Sequence, residues 1–216
     1  MLKTLAAACL TISLSIAGAF AAKNGGGDLD RGYTRLLISE CKSRGLLRNQ
    51  CAYVLATAFH ETGSLMTPVR ETFAATDRQA IARLDAAWAK GKLPWVSSPY
   101  WREGWFGRGY VQLTHDYNYR RASIRLGIDL VSDPAKALVP ETAAWILVIG
   151  SKDGWFTGKK LSDYINLLGT DFLGARRVIN GTDCARKIAA YAVAYDASLE
   201  QTGYSVAEAR PKVAAR

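Results

Sequence analysis

Apolar positions recur along this chain at intervals of three and four residues, the mark of amphipathic helices. The stretch Asp30 to Arg44 carries Leu36, Leu37 and Ile38, and Gly45 ends it. Arg48 to Thr62 places Cys51, Val54, Leu55, Ala58 and Phe59 on one face and stops at Gly63. Asp77 to Lys90 is amphipathic through Ile81, Leu84 and Trp88, ending at Gly91. Pro94 to Gly109 is rich in aromatic residues and glycine and reads as a loop, and Tyr110 to Thr114 as a short extended stretch. A helix over Asp116–Leu126 follows, ending at Gly127. Four more are predicted over Pro140–Ile149, Lys160–Leu168, Asp171–Ile179 and Cys184–Leu199, before a polar tail from Tyr204 to Arg216. There is no internal repeat and no strand–helix alternation. The pattern predicts one all-α domain with at most a small β-hairpin near a cleft.

The first residues follow another rule. Lys3 precedes an apolar run from Leu5 to Ala22 that ends in small residues, Ala17 to Ala21. A basic start, an apolar stretch and a small-residue cleavage site after Ala19 or Ala21 are the parts of an export signal. The run is also near the minimum for spanning a bilayer, so an uncleaved, weakly hydrophobic anchor is the alternative. Either reading predicts a periplasmic or extracellular protein, with transient inner-membrane association in the second. Residues 1–22 are then the signal or anchor, 23–27 a Gly-rich linker and 204–216 the tail.

Composition adds two constraints. Hydrophobic residues make up 49% of the 216, enough for a sizeable core. The formal charge is +9, from 28 Lys+Arg against 19 Asp+Glu. A basic surface suits a polyanion or serves solubility alone, and neither a Lys/Arg block nor a nucleic-acid motif is present, so no nucleic-acid partner is expected. The cysteines are Cys9, Cys41, Cys51 and Cys184. Cleavage would remove Cys9 and leave an odd number, which raises the idea that Cys9 exchanges disulfide partners on release from a membrane. Cys41 and Cys51 flank the turn Arg44-Gly45-Leu46 and could staple two helices or serve as small buried apolar residues.

Candidate chemistry begins at His60-Glu61-Thr62-Gly63. Glu61 lies in the last turn of an apolar helix, where burial and the negative end of the helix dipole disfavour a carboxylate, as a general acid requires. A surface Glu at a helix end is the plainer reading. The pattern lacks the second histidine of a His-Glu-x-x-His zinc site, and no G-x-S-x-G nucleophile is present. No metal and no cofactor are expected. Glu71 follows ten residues later in Arg70-Glu71-Thr72-Phe73, beyond the helix-breaking Gly63 and Pro68. Such a break can set two carboxyl groups across a cleft, as inverting glycosidases need. Glu103 is the rival base. In Gly107-Arg108-Gly109-Tyr110-Val111-Gln112-Leu113-Thr114-His115-Asp116-Tyr117-Asn118-Tyr119, Gln112, Thr114 and Asn118 could face one way from an extended segment running into a helix. Thr114 could hold the attacking water, and Gln112 and Asn118 the acetamido group or hydroxyls of a sugar. Tyr110 and its aromatic neighbours could stack on sugar faces or fill the core.

Taken in order, HETG, RET, GRGYVQLTHDYNY and VING resemble the family-19 glycoside hydrolases, which include plant-type chitinases and many phage lysozymes. The resemblance spans about Arg48 to Ala197. It implies a lysozyme-like, two-lobed α-rich fold with a central cleft, the catalytic domain occupying 28–203, and inversion by two carboxyl groups. It implies Glu61 as acid, Glu71 as base in the manner of phage-type members, and Thr114 as the Ser/Thr after Gln-Leu. It further implies substrate contacts at Gln112, Asn118 and Asn180, to which His60 and Tyr110 are added as candidate substrate contacts. Arg186 matches a family arginine only loosely. The first residues would suit a phage endolysin with a signal-arrest-release segment. Peptidoglycan is favoured as substrate over chitin by the basic charge, by the short Glu71–Gly107 segment without cysteines, and by the lack of a cysteine-rich chitin-binding module. A monomeric enzyme is expected. The alternatives are a small chitinase, a non-catalytic wall-binding protein on the same fold, and a membrane-active basic protein.

Overall fold

The computed structural model describes residues 26–205. The expected export segment, the proposed role of Cys9 and most of the tail lie outside the described residues. Among the described residues, six α-helices carry the fold: α1 (Thr34–Ser43), α2 (Arg48–Glu61), α3 (Asp77–Ala89), α4 (Asp116–Leu126), α5 (Pro140–Asp153) and α6 (Ala185–Gln201). Two two-stranded antiparallel pairs complete it, β1 (Val69–Arg70) with β2 (Arg108–Gly109) and β3 (Ile165–Asn166) with β4 (Gly169–Thr170). The α-rich architecture expected from the periodicity is therefore what forms.

Helix α2 is the axis of the larger lobe. Every residue from Cys51 to Phe59 is buried, so the helix is surrounded on all sides. Its chief neighbour is α6, whose Tyr191 and Tyr195 meet Phe59 edge-on at 4.8 and 6.1 Å. Residues of α1, α4 and α5 close the same core. A second, separate core holds Ala74, Ala80, Leu84, Leu93, Trp101 and Phe106, with Trp88 and Tyr100 packed against it. All of these lie between β1 and β2, so the strand pair is the neck. The chain leaves the larger lobe at Val69–Arg70 and returns at Arg108–Gly109, with Val69 opposite Gly109 and Arg70 opposite Arg108.

Three local expectations are corrected. Lys160–Leu168 is a 3-10 turn (Leu161–Asp163) leading into the β3–β4 hairpin rather than a helix. Asn166 accepts from the Leu168 N–H at 2.9 Å and donates to the Ser162 carbonyl at 3.1 Å, a local pairing that competes with helical hydrogen bonds. Asp171–Ile179 contains a 3-10 turn, Gly174–Val178, opened by the Gly174 N–H donating to Asp171 at 2.7 Å. Of Tyr110–Thr114, Tyr110–Gln112 is a turn and only Leu113 pairs, in a lone bridge to Arg108, while the strand pairing proper falls just before at β2. Cys41 and Cys51 are buried free thiols, packed together where α1 meets α2 without a bridge between them.

Candidate active site

Glu61 is the last residue of α2, and Thr62 makes the exit from the helix. The buried Thr62 hydroxyl donates to the Ala58 carbonyl at 2.7 Å and accepts from the Met66 N–H at 3.0 Å. The chain then turns through left-handed conformations at Gly63, Ser64 and Met66. The Glu61 carboxylate accepts from Arg176 Nη1 at 2.9 Å, with the side chains 6% and 1% exposed respectively. Arg176 comes from the Gly174–Val178 turn. Its Nε donates to the Asp183 carbonyl at 3.1 Å, and its Nη2 to the Asp183 carboxylate at 3.3 Å. A buried guanidinium with two acidic partners is thereby fixed at the end of α2. Burial and the helix dipole disfavour the Glu61 carboxylate, whereas the Arg176 charge that the structure adds acts in the opposite sense and favours it.

Arg176 is the functional candidate that sequence reasoning missed, and Arg186, the loose match, is exposed on α6. The signal was local: Arg176 lies four residues before Asn180, in a segment already singled out by VING. Asn180 is half-buried and its N–H donates to the Arg176 carbonyl at 3.0 Å, so it belongs to the same turn. His60 is half-buried next to Glu61. Burial, reinforced by the charges of Arg176 and Lys187, pushes the imidazole down to about 4, which keeps it neutral at pH 7.

Glu71 stands at the neck, in the 3-10 turn Glu71–Phe73 that follows β1. Gly107 grips it twice. The Glu71 N–H donates to the Gly107 carbonyl at 2.7 Å, and the Gly107 N–H donates to Glu71 Oε2 at 2.7 Å. The Tyr100 hydroxyl donates to Oε1 at 3.0 Å. Burial pushes the Glu71 carboxyl above the usual carboxylate range, while the two hydrogen bonds and the Arg108 charge pull it partly back. The next two residues, Thr72 and Phe73, both hold left-handed φ values of 62° and 53°. Such backbone costs about 1–3 kcal/mol per residue and gathers at functional sites. Arg83 holds it by donating to the Thr72 carbonyl at 2.8 Å. Phe73 is 55% exposed, and a β-carbon on Gly63 would lie 3.2 Å from its ring. The turn after Glu61 and the turn after Glu71 therefore meet face to face. Glu103, the rival base, is exposed on the smaller lobe.

The Gly-Arg-Gly run builds the neck. Arg108 is 2% exposed; it donates to Asp77 of α3 at 2.7 Å and to the Tyr119 hydroxyl of α4 at 2.9 Å. One guanidinium thus ties the two lobes together. Gln112 is buried at a left-handed φ of 54°, and its Nε2 donates to the carbonyls of Val69 and Gly109 at 3.1 and 3.2 Å. Its other amide atom explains Gly107: a β-carbon there would lie 2.7 Å from Gln112 Oε1. Gln112 is thus tied to the strand pair by its amide nitrogen. Thr114 is buried, and Asn118 is half-buried and donates to the Thr114 carbonyl at 2.9 Å. Tyr110 is fully buried in the core of the larger lobe, with no hydrogen-bond partner for its hydroxyl among the described residues.

The sequence-derived residues thus gather into two facing groups. His60, Glu61 and Asn180 surround Arg176, while Glu71 and Gln112 meet at Gly107, with Thr114 and Asn118 on the segment that follows.

No family model matches the chain, and no curated protein matches it. Solved structures do. The chain is similar to a chitinase C mutant with a TM-score of 0.52 at 18% identity, covering 90% of this chain and 94% of that one. It also matches chitinase C from Streptomyces griseus (TM-score 0.49, 18% identity, 93% of this chain and 81% of that one). A bacterial family 19 chitinase matches with a TM-score of 0.48 at 20% identity, over 89% and 96% of the two chains. The fold is that of chitinase C, an α-rich, lysozyme-like architecture.

Proposed function

We propose that this protein is a glycoside hydrolase that cleaves β-1,4 bonds of peptidoglycan by an inverting acid–base reaction. The observation that carries the proposal is a pair of carboxyl groups on facing turns, each held by its own set of donors. Inversion needs one carboxyl group to protonate the leaving oxygen and a second to activate water on the opposite face of the sugar. Glu61 is the acid. On giving up its proton it becomes a carboxylate beside Arg176, whose charge stabilises that form as it develops in the transition state. Glu71 is the base, and the donors on both its oxygens fix the direction from which it receives the proton of water. Thr114 helps to hold that water, and Gln112, Asn118, Asn180 and His60 shape the surrounding sugar sites, whereas Tyr110, fully buried, fills the core rather than stacking on a sugar.

The basic charge of +9 favours the anionic bacterial wall over neutral chitin. Export through the first 22 residues would bring the enzyme to that wall, as a phage-type endolysin requires, and it would act there as a monomer. The second reading is a small chitinase, favoured by the shared fold with chitinase C. Digestion of purified peptidoglycan and of chitin oligomers, with products identified by mass spectrometry, separates the two. Muropeptides cut at a glycosidic bond, and absent with Glu61→Gln, are expected. Chitin fragments alone would make this a chitinase, and neither product from folded protein would leave a wall-binding role.

A further inference from the structure

The base is held by one donor that the reaction does not require chemically. Glu71 Oε2 is taken by the backbone N–H of Gly107, whereas Oε1 is taken by the side chain of Tyr100. Tyr100 is itself wedged. Its ring lies 5.1 Å from Trp101, edge-on at 80°, and 4.6 Å from the His115 ring. Tyr117, 54% exposed, stacks on the outer face of His115 at 5.4 Å and 6°. His115 reaches this place through a left-handed φ of 66°, uncommon for a residue with a side chain, at the residue preceding α4. Its N–H donates to the Trp105 carbonyl at 2.9 Å, which keeps the strained turn in place.

We propose that Tyr100 is a positioning residue for the base: its hydroxyl orients Glu71 through Oε1, and the His115–Tyr117 stack keeps the Tyr100 ring in place. The proposal rests on the reading of Glu71 as base. Three further groups face Glu71: the Gly107 N–H, Arg108 of β2, and Tyr119 of α4; Arg108 is itself paired with Asp77 of α3 at 2.7 Å. Removing the Tyr100 hydroxyl leaves all of these charges and the aromatic stack unchanged. Burial and the neighbouring Glu71 push the Tyr100 phenol up, so it keeps its proton and stays a donor throughout the working pH range. A donor to the ionised carboxyl lowers its proton affinity, and losing it raises that affinity.

The test is the pH dependence of kcat/KM on peptidoglycan for the full chain and its Tyr100→Phe variant. The acidic limb is expected to move up by roughly half to one pH unit, with kcat reduced about tenfold and KM within about twofold. A purely structural role would lower thermal stability without moving the limb. His115→Ala, which frees the Tyr100 ring, should shift the limb the same way by less. Carbon-13 titration of the Glu71 carboxyl in Tyr100→Phe reads the same shift if turnover is too slow to measure. An unmoved limb and titration in Tyr100→Phe, with Glu71→Gln inactive, would overturn the role of Tyr100 alone. An active Glu71→Gln would overturn the base assignment itself, and this proposal with it.

Discussion

Arg176, 1% exposed, carries its charge where water cannot hydrate it, and Glu61 and Asp183 take over that task. Removing one partner of a buried pair leaves the other charge stranded. Arg176→Ala is expected to cost about 3–5 kcal/mol of stability and to cut kcat by roughly 10²–10³. Thermal melts and steady-state kinetics on peptidoglycan check both, and a variant with unchanged kcat would separate Arg176 from the chemistry. Glu71 carries the opposite burden. Its folded carboxyl titrates above its unfolded value, so the fold favours the protonated form. That contribution is complete below the unfolded value of 4.5 and is lost as pH rises through the higher folded value. Glu71→Gln should therefore be inactive yet at least as stable as the wild type at pH 7. His60 runs the other way. Its folded value of about 4 lies below the unfolded 6.5, so the fold favours the neutral ring. Stability should fall as pH drops from 6.5 through 4, by up to about 3 kcal/mol, and His60→Gln should flatten that fall in denaturant titrations.

At the scale of elements, the helices with long apolar faces were legible and the short turns were not. Helix α2 was readable because Cys51, Val54, Leu55, Ala58 and Phe59 share a face and Gly63 breaks the pattern, and its ends fall within a residue of expectation. Lys160–Leu168 misled because Leu161, Ile165 and Leu168 share helical spacing, while the hydrogen bonds of Asn166 decide for a hairpin. The chain break between Glu61 and Glu71 was legible, and the structure puts the two residues on separate elements, one at the end of α2 and one in the turn after β1. Arg176 was not, since an arginine in a short turn looks solvent-exposed until the fold places it against α2. Tyr100 was legible only as an aromatic near a cleft, because its partner lies 29 residues away in sequence. The smaller lobe rests on α3 and one compact apolar cluster that includes Leu84. Leu84→Ala should cost about 2–5 kcal/mol and lower activity, because Tyr100 packs against the same cluster. Hydrogen exchange would locate the loosening at residues 74–106, and a loss confined to the larger lobe would contradict the two-core division.

For the whole molecule, two lobes meet at a neck of two-residue strands, and Arg108 is a side chain that spans it. Arg108 reads in sequence like one more surface charge of a basic protein, yet the fold uses it internally to set one lobe against the other. The two carboxyl groups depend on that setting, since Glu61 ends a helix of the larger lobe and Glu71 begins the smaller one. On the proposed roles, with the acid on one lobe and the base on the other, water attacks from the face opposite the leaving group. The direct test is the anomeric configuration of the first product, read by proton NMR in the opening minutes of peptidoglycan digestion. Release of the α-anomer from the β-linked polymer, abolished by Glu61→Gln and by Glu71→Gln, is the predicted result. Initial release of the β-anomer would contradict it and require a retaining route.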